Sequence, residues 1–142
     1  MHQYPGILIR NHLGLFYVLT IIFFLAGCSS YTEDPDKKLI GIWSMEKVYE
    51  NDVDVTAKHN PNKNRWIEFE KDGTFISGGD PFGENTGRWK MDNKNSVLSI
   101  ESNVDDDNSQ WNVSFKDDLT IWTGIGHPRK EGTKLVHKRK NR

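Results

Sequence analysis

From residue 39 onward, apolar and polar side chains alternate with a period of two, in short runs bounded by Asp, Asn, Gly or Lys. Examples are Trp66-Ile-Glu-Phe-Glu70, Val97-Leu-Ser-Ile-Glu101 and Trp111-Asn-Val-Ser-Phe115. Such alternation places one face of a β-strand in a core and the other in solvent, whereas a helix repeats about every 3.6 residues. No segment long enough for an ordinary helix has the helical period in this part of the chain. The pattern predicts an all-β domain.

Eight such runs predict eight strands, at about residues 39–50, 65–70, 74–78, 87–91, 96–101, 110–115, 119–124 and 133–139. The connections between them alternate strictly in length. The short ones, at 71–73, 92–95 and 116–118, have tight-turn composition, and the long ones are 51–64, 79–86, 102–109 and 125–132. Alternate connections of an up-and-down antiparallel sheet lie at the same end. We therefore expect an antiparallel eight-stranded barrel with four long loops at its mouth and a closed base.

The first 27 residues have the properties of a cleavable leader. Arg10 is their only Lys or Arg, and an uncharged apolar stretch follows at 13–26 that is short for a membrane-spanning helix of about 20 residues. The stretch ends in Leu25-Ala-Gly-Cys28, and Cys28 is the only cysteine. This motif resembles the lipobox of bacterial lipoproteins. The resemblance implies cleavage before Cys28, attachment of diacylglycerol to its thiol and acylation of the new amino terminus.

The domain organisation follows from this motif. Residues 1–27 are predicted to be a lipoprotein signal peptide, 28–38 a lipidated Cys with a flexible tether, and 39–139 the barrel domain. Asp36 is predicted to cap a single helical turn before the first strand. Ser29 follows Cys28 where, in well-studied lipoproteins, an Asp favours retention in the inner membrane. We therefore expect a protein anchored by its lipid in the cell outer membrane, with the periplasmic or surface face unresolved.

The start of the first predicted strand, Leu39-Ile-Gly-Ile-Trp43, contains a Gly-x-Trp motif. The same motif opens lipocalins, and the wider pattern is similar to the lipocalin-like domain of small bacterial lipoproteins. In that family the Trp closes the barrel base beneath a basic residue that follows the last strand. The resemblance implies that Gly41 and Trp43 close the base, with Lys138 or Arg139 over the indole as a cation–π partner.

Large apolar side chains on the predicted inward phase allow two interpretations. They line a pocket for a small apolar or amphipathic molecule, or they fill the barrel completely. The candidate ligand-binding residues are Phe69, Trp89, Trp111 and Phe115. In lipocalin terms the loop 51–64 is the lid, and an acidic head group at the mouth could be bound by His59, His127 or Arg129.

A second class of function is protein–protein interaction, as an inhibitor or a subunit of an envelope complex. Trp66 and Trp122 lie on the polar phase of their strands. If they face outward they form an interaction surface on a filled barrel. If a twist or bulge rotates them inward they belong to the core.

Other classes find little support in the sequence. We expect no catalytic residues, because nucleophile elbows, phosphate loops and paired metal-binding His are missing from it. We likewise expect no metal and no cofactor. A net charge of −1 does not indicate a nucleic-acid partner.

Overall fold

The computed structural model describes residues 33–104 and 107–141. Two short helices, α1 and α2, cover Pro35–Leu39 and Thr56–His59. Nine strands, β1 to β9 in chain order, cover Gly41–Glu50, Val53–Asp54, Trp66–Phe69, Thr74–Gly78, Asn85–Asp92, Val97–Ser102, Ser109–Lys116, Leu119–Ile125 and Thr133–Arg139. Among these residues, no helix is of the length and apolar character needed to cross a membrane.

Strand pairing closes the sheet into a barrel. From β3 to β9, each strand pairs antiparallel with the next, and β1 pairs with both β3 and β9. The two-residue strand β2 pairs antiparallel with the last two residues of β1 and with no other strand. The predicted all-β, antiparallel, eight-stranded barrel is therefore confirmed.

The loop that follows β1 covers the part of β1 that β3 does not reach. β3 pairs only with the first part of β1, from Gly41 to Ser44. Farther along, the Asn60 side-chain amide donates a hydrogen bond to the carbonyl of Met45, and the backbone N–H of Val48 donates to Thr56 Oγ1. These bonds satisfy backbone groups of a strand edge that would otherwise lack partners.

Short and long connections lie at opposite ends, as the sequence predicts. The short turns between β3 and β4, β5 and β6, and β7 and β8 share the base with α1 and the end of β9. The backbone N–H of Asp36 donates to Asn93 Oδ1, and that of Arg139 donates to the carbonyl of Asp118. The four long connections therefore surround the mouth.

The core fills the lower barrel with the inward side chains of the strands. Its buried members are Leu39, Trp43, Ile67, Phe69, Phe75, Met91, Leu98, Ile100, Trp111, Val113 and Trp122. Most of these residues lie on the predicted inward phase.

The predicted phase of β8 is wrong. Thr120, Trp122 and Gly124 are buried, whereas Leu119 and Ile121 are on the opposite face. An indole buries more apolar area than either aliphatic side chain, and its N–H finds a partner, since Trp122 Nε1 donates to Thr120 Oγ1. Of the two alternatives for Trp122, the structure therefore selects the core, with 2% of the residue exposed.

The segment before the barrel differs in detail from its prediction. Helix α1 occupies most of the described part of the predicted tether, 28–38, and its final residue Leu39 is fully buried. Asp36 does not cap it, because the N-cap position is Asp34, which makes no side-chain capping bond. Instead of a capping side chain, the helix has Pro35 at its first position, whose ring fixes φ at a helical value. The predicted signal peptide and Cys28 lie outside the described residues.

Candidate functional site

The base of the barrel is closed by a contact between its first and last strands. The Arg139 guanidinium lies over the Trp43 indole, with Cζ 4.3 Å from the ring centroid. Trp43 is 1% exposed, and its Nε1 donates to the carbonyl of Leu39 at 2.7 Å. Arg139 donates to the carbonyls of Ile40 and Lys38. The structure thus brings together the three residues that the sequence associates with closure, and it places Arg139, not Lys138, over the indole.

Gly41 makes room for this contact. Its φ of +119° is disfavoured for other residues, and a Cβ there would lie 3.1 Å from Arg139 Nη1. Lys138 points away from Trp43, and its Nζ lies 3.5 Å from Asp118 Oδ2 at the surface.

Above the core, the mouth holds a cavity of about 500 Å³. Its apolar walls comprise Met45, Val48, Ile67, Phe75, Ile100, Trp111, Trp122 and Leu135. Its polar and charged lining includes Glu50, His59, Arg65, Ser77, Glu84, Asn85, Asp107, Ser109, Arg129, Lys130, Thr133 and His137. An apolar interior with polar groups concentrated near an opening is typical of small-molecule sites.

Near the mouth, two strand positions are glycines, which allow neighbouring backbone to approach closely. Gly87 and Gly124 are both buried. A Cβ on Gly87 would lie 2.0 Å from the carbonyl of Glu101, and one on Gly124 would lie 2.0 Å from the carbonyl of Lys130. Gly124 therefore lets the loop 126–132 fold over the mouth, which brings Lys130 to the cavity.

Of the four candidate ligand-binding aromatics, only Trp111 is among the residues that line the cavity. Phe69 is fully buried below it and contacts Trp89 edge to face at a centroid distance of 5.3 Å. Trp89 donates its indole N–H to the carbonyl of Glu70 in a basal turn, and Phe115 packs near Trp43. The alternation of apolar and polar residues predicts which face of the sheet a side chain occupies but not its height in the barrel. The four candidates therefore include residues of the base as well as one of the mouth.

The rim residues fare differently. His59 and Arg129 line the cavity. His127 is not among the lining residues, and its Nδ1 accepts a hydrogen bond from the backbone N–H of Arg129. It therefore shapes the loop that carries Arg129.

Arg65 is a lining residue that the sequence interpretation missed. Its backbone is fixed on both sides: the N–H donates to Asn60 Oδ1, and the carbonyl accepts from the N–H of Met45. Its guanidinium stacks on Phe82 with Cζ 4.6 Å from the ring centroid, and Nη1 donates to the carbonyl of His59. Burial lowers the pKa of Arg65, and the nearby charge of Asp107 opposes that shift. The sequence held one signal for this role: Arg65 falls on the same alternating strand positions as Ile67 and Phe69, which face inward.

His137 lies deeper in the same cavity and is 2% exposed. Its ring packs on Trp122 at a centroid distance of 4.4 Å, and its Nδ1 has no hydrogen-bond partner among the described residues. Burial, with a smaller contribution from the charge of Arg65, lowers the pKa of His137 to about 3. The imidazole is therefore neutral at physiological pH and contributes a polar group without a charge.

Two of the three acidic groups in the lining already have cationic partners. Glu50 pairs with His59, at 2.8 Å between Oε1 and Nε2, and lies 3.7 Å from Lys58 Nζ. Asp107 accepts from Lys130 and from the side chain of Asn85. Arg65, by contrast, has no carboxylate within ion-pairing distance among residues 33–104 and 107–141.

Phe82 connects two mouth loops over the cavity. It is 62% exposed, stacks on His59 at a centroid distance of 6.1 Å, and supports Arg65 on the same ring system. Below it, Asp80 Oδ2 accepts hydrogen bonds from Asn62 and Asn64. The loop 51–64, expected to be a lid, is thus held to the loop 79–84 by both stacking and hydrogen bonds.

Trp66 is partly exposed and borders the cavity opening. Its indole lies against Gly78, where a Cβ would come within 3.1 Å of Nε1. The residue therefore occupies neither the packed core nor a fully exposed surface.

No group of three or more metal-ligating side chains is arranged for an ion within the part of the chain that the structure describes.

No protein-family model matches this sequence. No curated protein matches it either. Among solved structures, the chain is similar to the crystal structure of a DUF4847 family protein from Bacteroides vulgatus ATCC 8482. The match has a TM-score of 0.53 at 15% sequence identity and covers 73% of this chain and 95% of that chain. At this identity, the likeness shows the barrel fold alone.

Proposed function

We propose that this protein binds or carries a small apolar or amphipathic molecule in the cavity at the mouth of its barrel, without catalysis. The observation that carries the proposal is a cavity of about 500 Å³ with apolar walls beneath a charged rim. Binding sites for small molecules have volumes of about 300–1,000 Å³, so this one is large enough for a discrete ligand.

Native mass spectrometry tests this proposal. Residues 29–142, which contain every described strand pairing, are purified gently and measured before and after incubation with an extract of the source cells. A discrete added mass of small-molecule size is expected. A clean apo mass under both conditions would contradict the proposal and direct the work to partner capture.

A matched pair of variants locates any bound molecule. Ser77 lines the cavity, so Ser77→Trp should fill it and remove the added mass. Ser114 is exposed on the outer face of β7, so Ser114→Trp adds the same indole without entering the cavity. Retention of the added mass in both variants would place the ligand elsewhere.

We further propose that the protein is anchored to a membrane through acyl chains on Cys28, in the outer membrane. Support comes from the lipobox residues 25–28 and from Ser29. Several acyl chains give stable anchoring, where one gives only marginal binding. Cys28→Ala should abolish incorporation of labelled palmitate and release the protein from membranes. Continued membrane retention of the variant would indicate an uncleaved anchor.

The alternative function, an envelope interaction module, was tied to a filled barrel with outward Trp residues. The burial of Trp122 and the presence of the cavity favour ligand binding over that alternative. An envelope protein partner remains a prediction.

A further inference from the structure

The mouth cavity contains a cation, Arg65, that has no carboxylate within ion-pairing distance among the described residues. Arg65 lies on the inward phase, with its backbone fixed by hydrogen bonds to both neighbouring segments. Its guanidinium makes one hydrogen bond, to the carbonyl of His59, and stacks on Phe82. Most of its N–H donors therefore have no acceptor among the described residues. Asp107 is the nearby opposite charge, but its oxygens already accept from Lys130 and Asn85. Because a partly buried charge is costly unless it is paired and hydrogen-bonded, an anionic ligand in direct contact with Arg65 would lower that cost.

The other charges around the cavity do not compete for the same role. Glu50 is held by His59 and Lys58, and both oxygens of Asp107 accept from Lys130 and Asn85. Glu84 and Arg129 are exposed at the rim, where solvent screens their charges. Arg65 is therefore the cation that an anionic ligand group inside the mouth would meet.

His137 adds a buried polar group to the same cavity. It is nearly fully buried in the cavity wall, and its Nδ1 has no partner among the described residues. Its ring packs on the indole of Trp122, and the charge of Arg65 acts on it. A neutral imidazole can donate or accept a hydrogen bond with a ligand, but it adds no second positive charge. The interior therefore suits one negative charge.

We infer that the cavity is selective for an amphipathic molecule with a single acidic head group, such as a carboxylate. This inference rests on the proposed function, the binding of a small molecule in the cavity. Arg65 binds the head group at the mouth through charge-assisted hydrogen bonds. The apolar part lies against Trp111, Trp122 and Ile100 on the walls below.

The test compares three probes with one alkyl chain and different head groups: octanoate, octanol and octylamine. Each is titrated into the full chain in phosphatidylcholine nanodiscs, with quenching of tryptophan fluorescence as the signal and empty nanodiscs as the blank. Octanoate is expected to bind about ten- to a hundredfold more tightly than octanol, the range for a hydrogen-bonded charge. Octylamine should bind most weakly.

Matched substitutions assign the preference to one residue. Arg65→Gln keeps a donor for the carbonyl of His59 but removes the charge, and it should abolish the preference for octanoate while octanol affinity changes less than about twofold. Arg129→Gln makes the same change at the rim and should retain the preference. Arg65→Lys, which keeps the charge without the planar fork, should retain part of it and provides a second variant if Arg65→Gln does not fold.

The outcomes separate the two proposals. Equal affinity of the wild type for octanoate and octanol, or a preference that disappears in Arg129→Gln and survives in Arg65→Gln, would overturn head-group selection by Arg65 and leave the binding function intact. Absence of saturable binding for all three probes would count against both.

Discussion

The two ends of this barrel are made from the same strands but differ in almost every physical respect. At the base, Trp43 and Arg139 join the first and last barrel strands, and buried side chains fill the interior. At the mouth, apolar side chains line a cavity of about 500 Å³ instead of filling the interior, and long loops carry charges around it.

The contrast shows how one closed sheet provides both rigidity and a site. Packing at the base fixes strand register and barrel diameter, so the mouth does not need a full set of interior contacts to keep its shape. The partly buried Arg65, which lacks a contact ion pair, and the unpartnered Nδ1 of His137 are both unfavourable for stability, and both belong to the mouth. Stability and binding are therefore expected to respond to substitutions at different ends.

The largest effect is expected at the base, for Trp43→Ala. Removing a fully buried indole leaves a void and deletes the platform for Arg139, which should lower the free energy of unfolding by about 3–5 kcal/mol. Trp66→Ala is the matched control at the mouth, where the indole is partly exposed and a smaller loss is expected. Denaturant titration measures both, and a loss below about 1 kcal/mol for Trp43→Ala would refute its role in closing the base.

Arg139→Met tests the other half of the closure. The variant keeps an aliphatic stem but loses the cation over Trp43 and the hydrogen bonds to two backbone carbonyls. The free energy of unfolding should fall by about 2 kcal/mol. Lys138→Met removes a neighbouring surface cation and should be almost neutral. If the two substitutions lowered the free energy of unfolding equally, the contact of Arg139 with the Trp43 indole would contribute nothing specific to stability.

His137 provides a comparison through pH. Its pKa is about 3 in the folded chain against an ordinary value of 6.5, so below about pH 6.5 the unfolded state binds a proton that the folded state does not. Stability should therefore fall with decreasing pH, by up to about 1 kcal/mol per pH unit from this group. The pH range from about 6.5 to 4.5 lies above the pKa values of the carboxyl groups whose pKa is lowered, among them Asp72 and Asp92. Those groups stay ionised across this range.

His137→Phe should remove that part of the slope. Denaturant titrations of both proteins at about pH 6.5, 5.5 and 4.5 give the difference, in which contributions common to the two proteins cancel. Parallel slopes for the two proteins would mean that His137 accepts a proton in the folded state.

The smallest effect on stability is expected for Phe82→Ala. The ring is largely exposed, so the free energy of unfolding should change by less than about 0.5 kcal/mol. Because the ring supports Arg65 and joins two loops, the dissociation rate of octanoate should nevertheless rise in stopped-flow measurements. Val53→Ala, an equally exposed apolar site on another mouth loop, should leave that rate unchanged.

The sequence was sufficient for the architecture because alternation and connection length are local signals. It failed at β8, where both phases contain apolar residues and the indole of Trp122 outweighs Leu119 and Ile121. It could not rank Lys138 against Arg139, since a slip of one residue exchanges their faces.

The site was less accessible than the fold. Arg65 and His137 come from different ends of the chain and acquire their roles only through burial in a shared cavity. Likewise, nothing local distinguishes Trp111 near the mouth from Phe69 below it. Height in a barrel depends on stagger between strands, which a single sequence does not encode in its alternation.

The pairing of β1 with β9 also affects when the barrel can form. Arg139 and its partner Ile40 are separated by 99 positions in sequence, so the contacts that complete the base are among the most distant in the chain. Loops of that length are slow to close, and folding rates fall as such contacts dominate. A nascent chain cannot make them until β9 has been synthesised, and until then one edge of β1 lacks its final partner. The barrel is therefore expected to close only after nearly the whole domain has been synthesised.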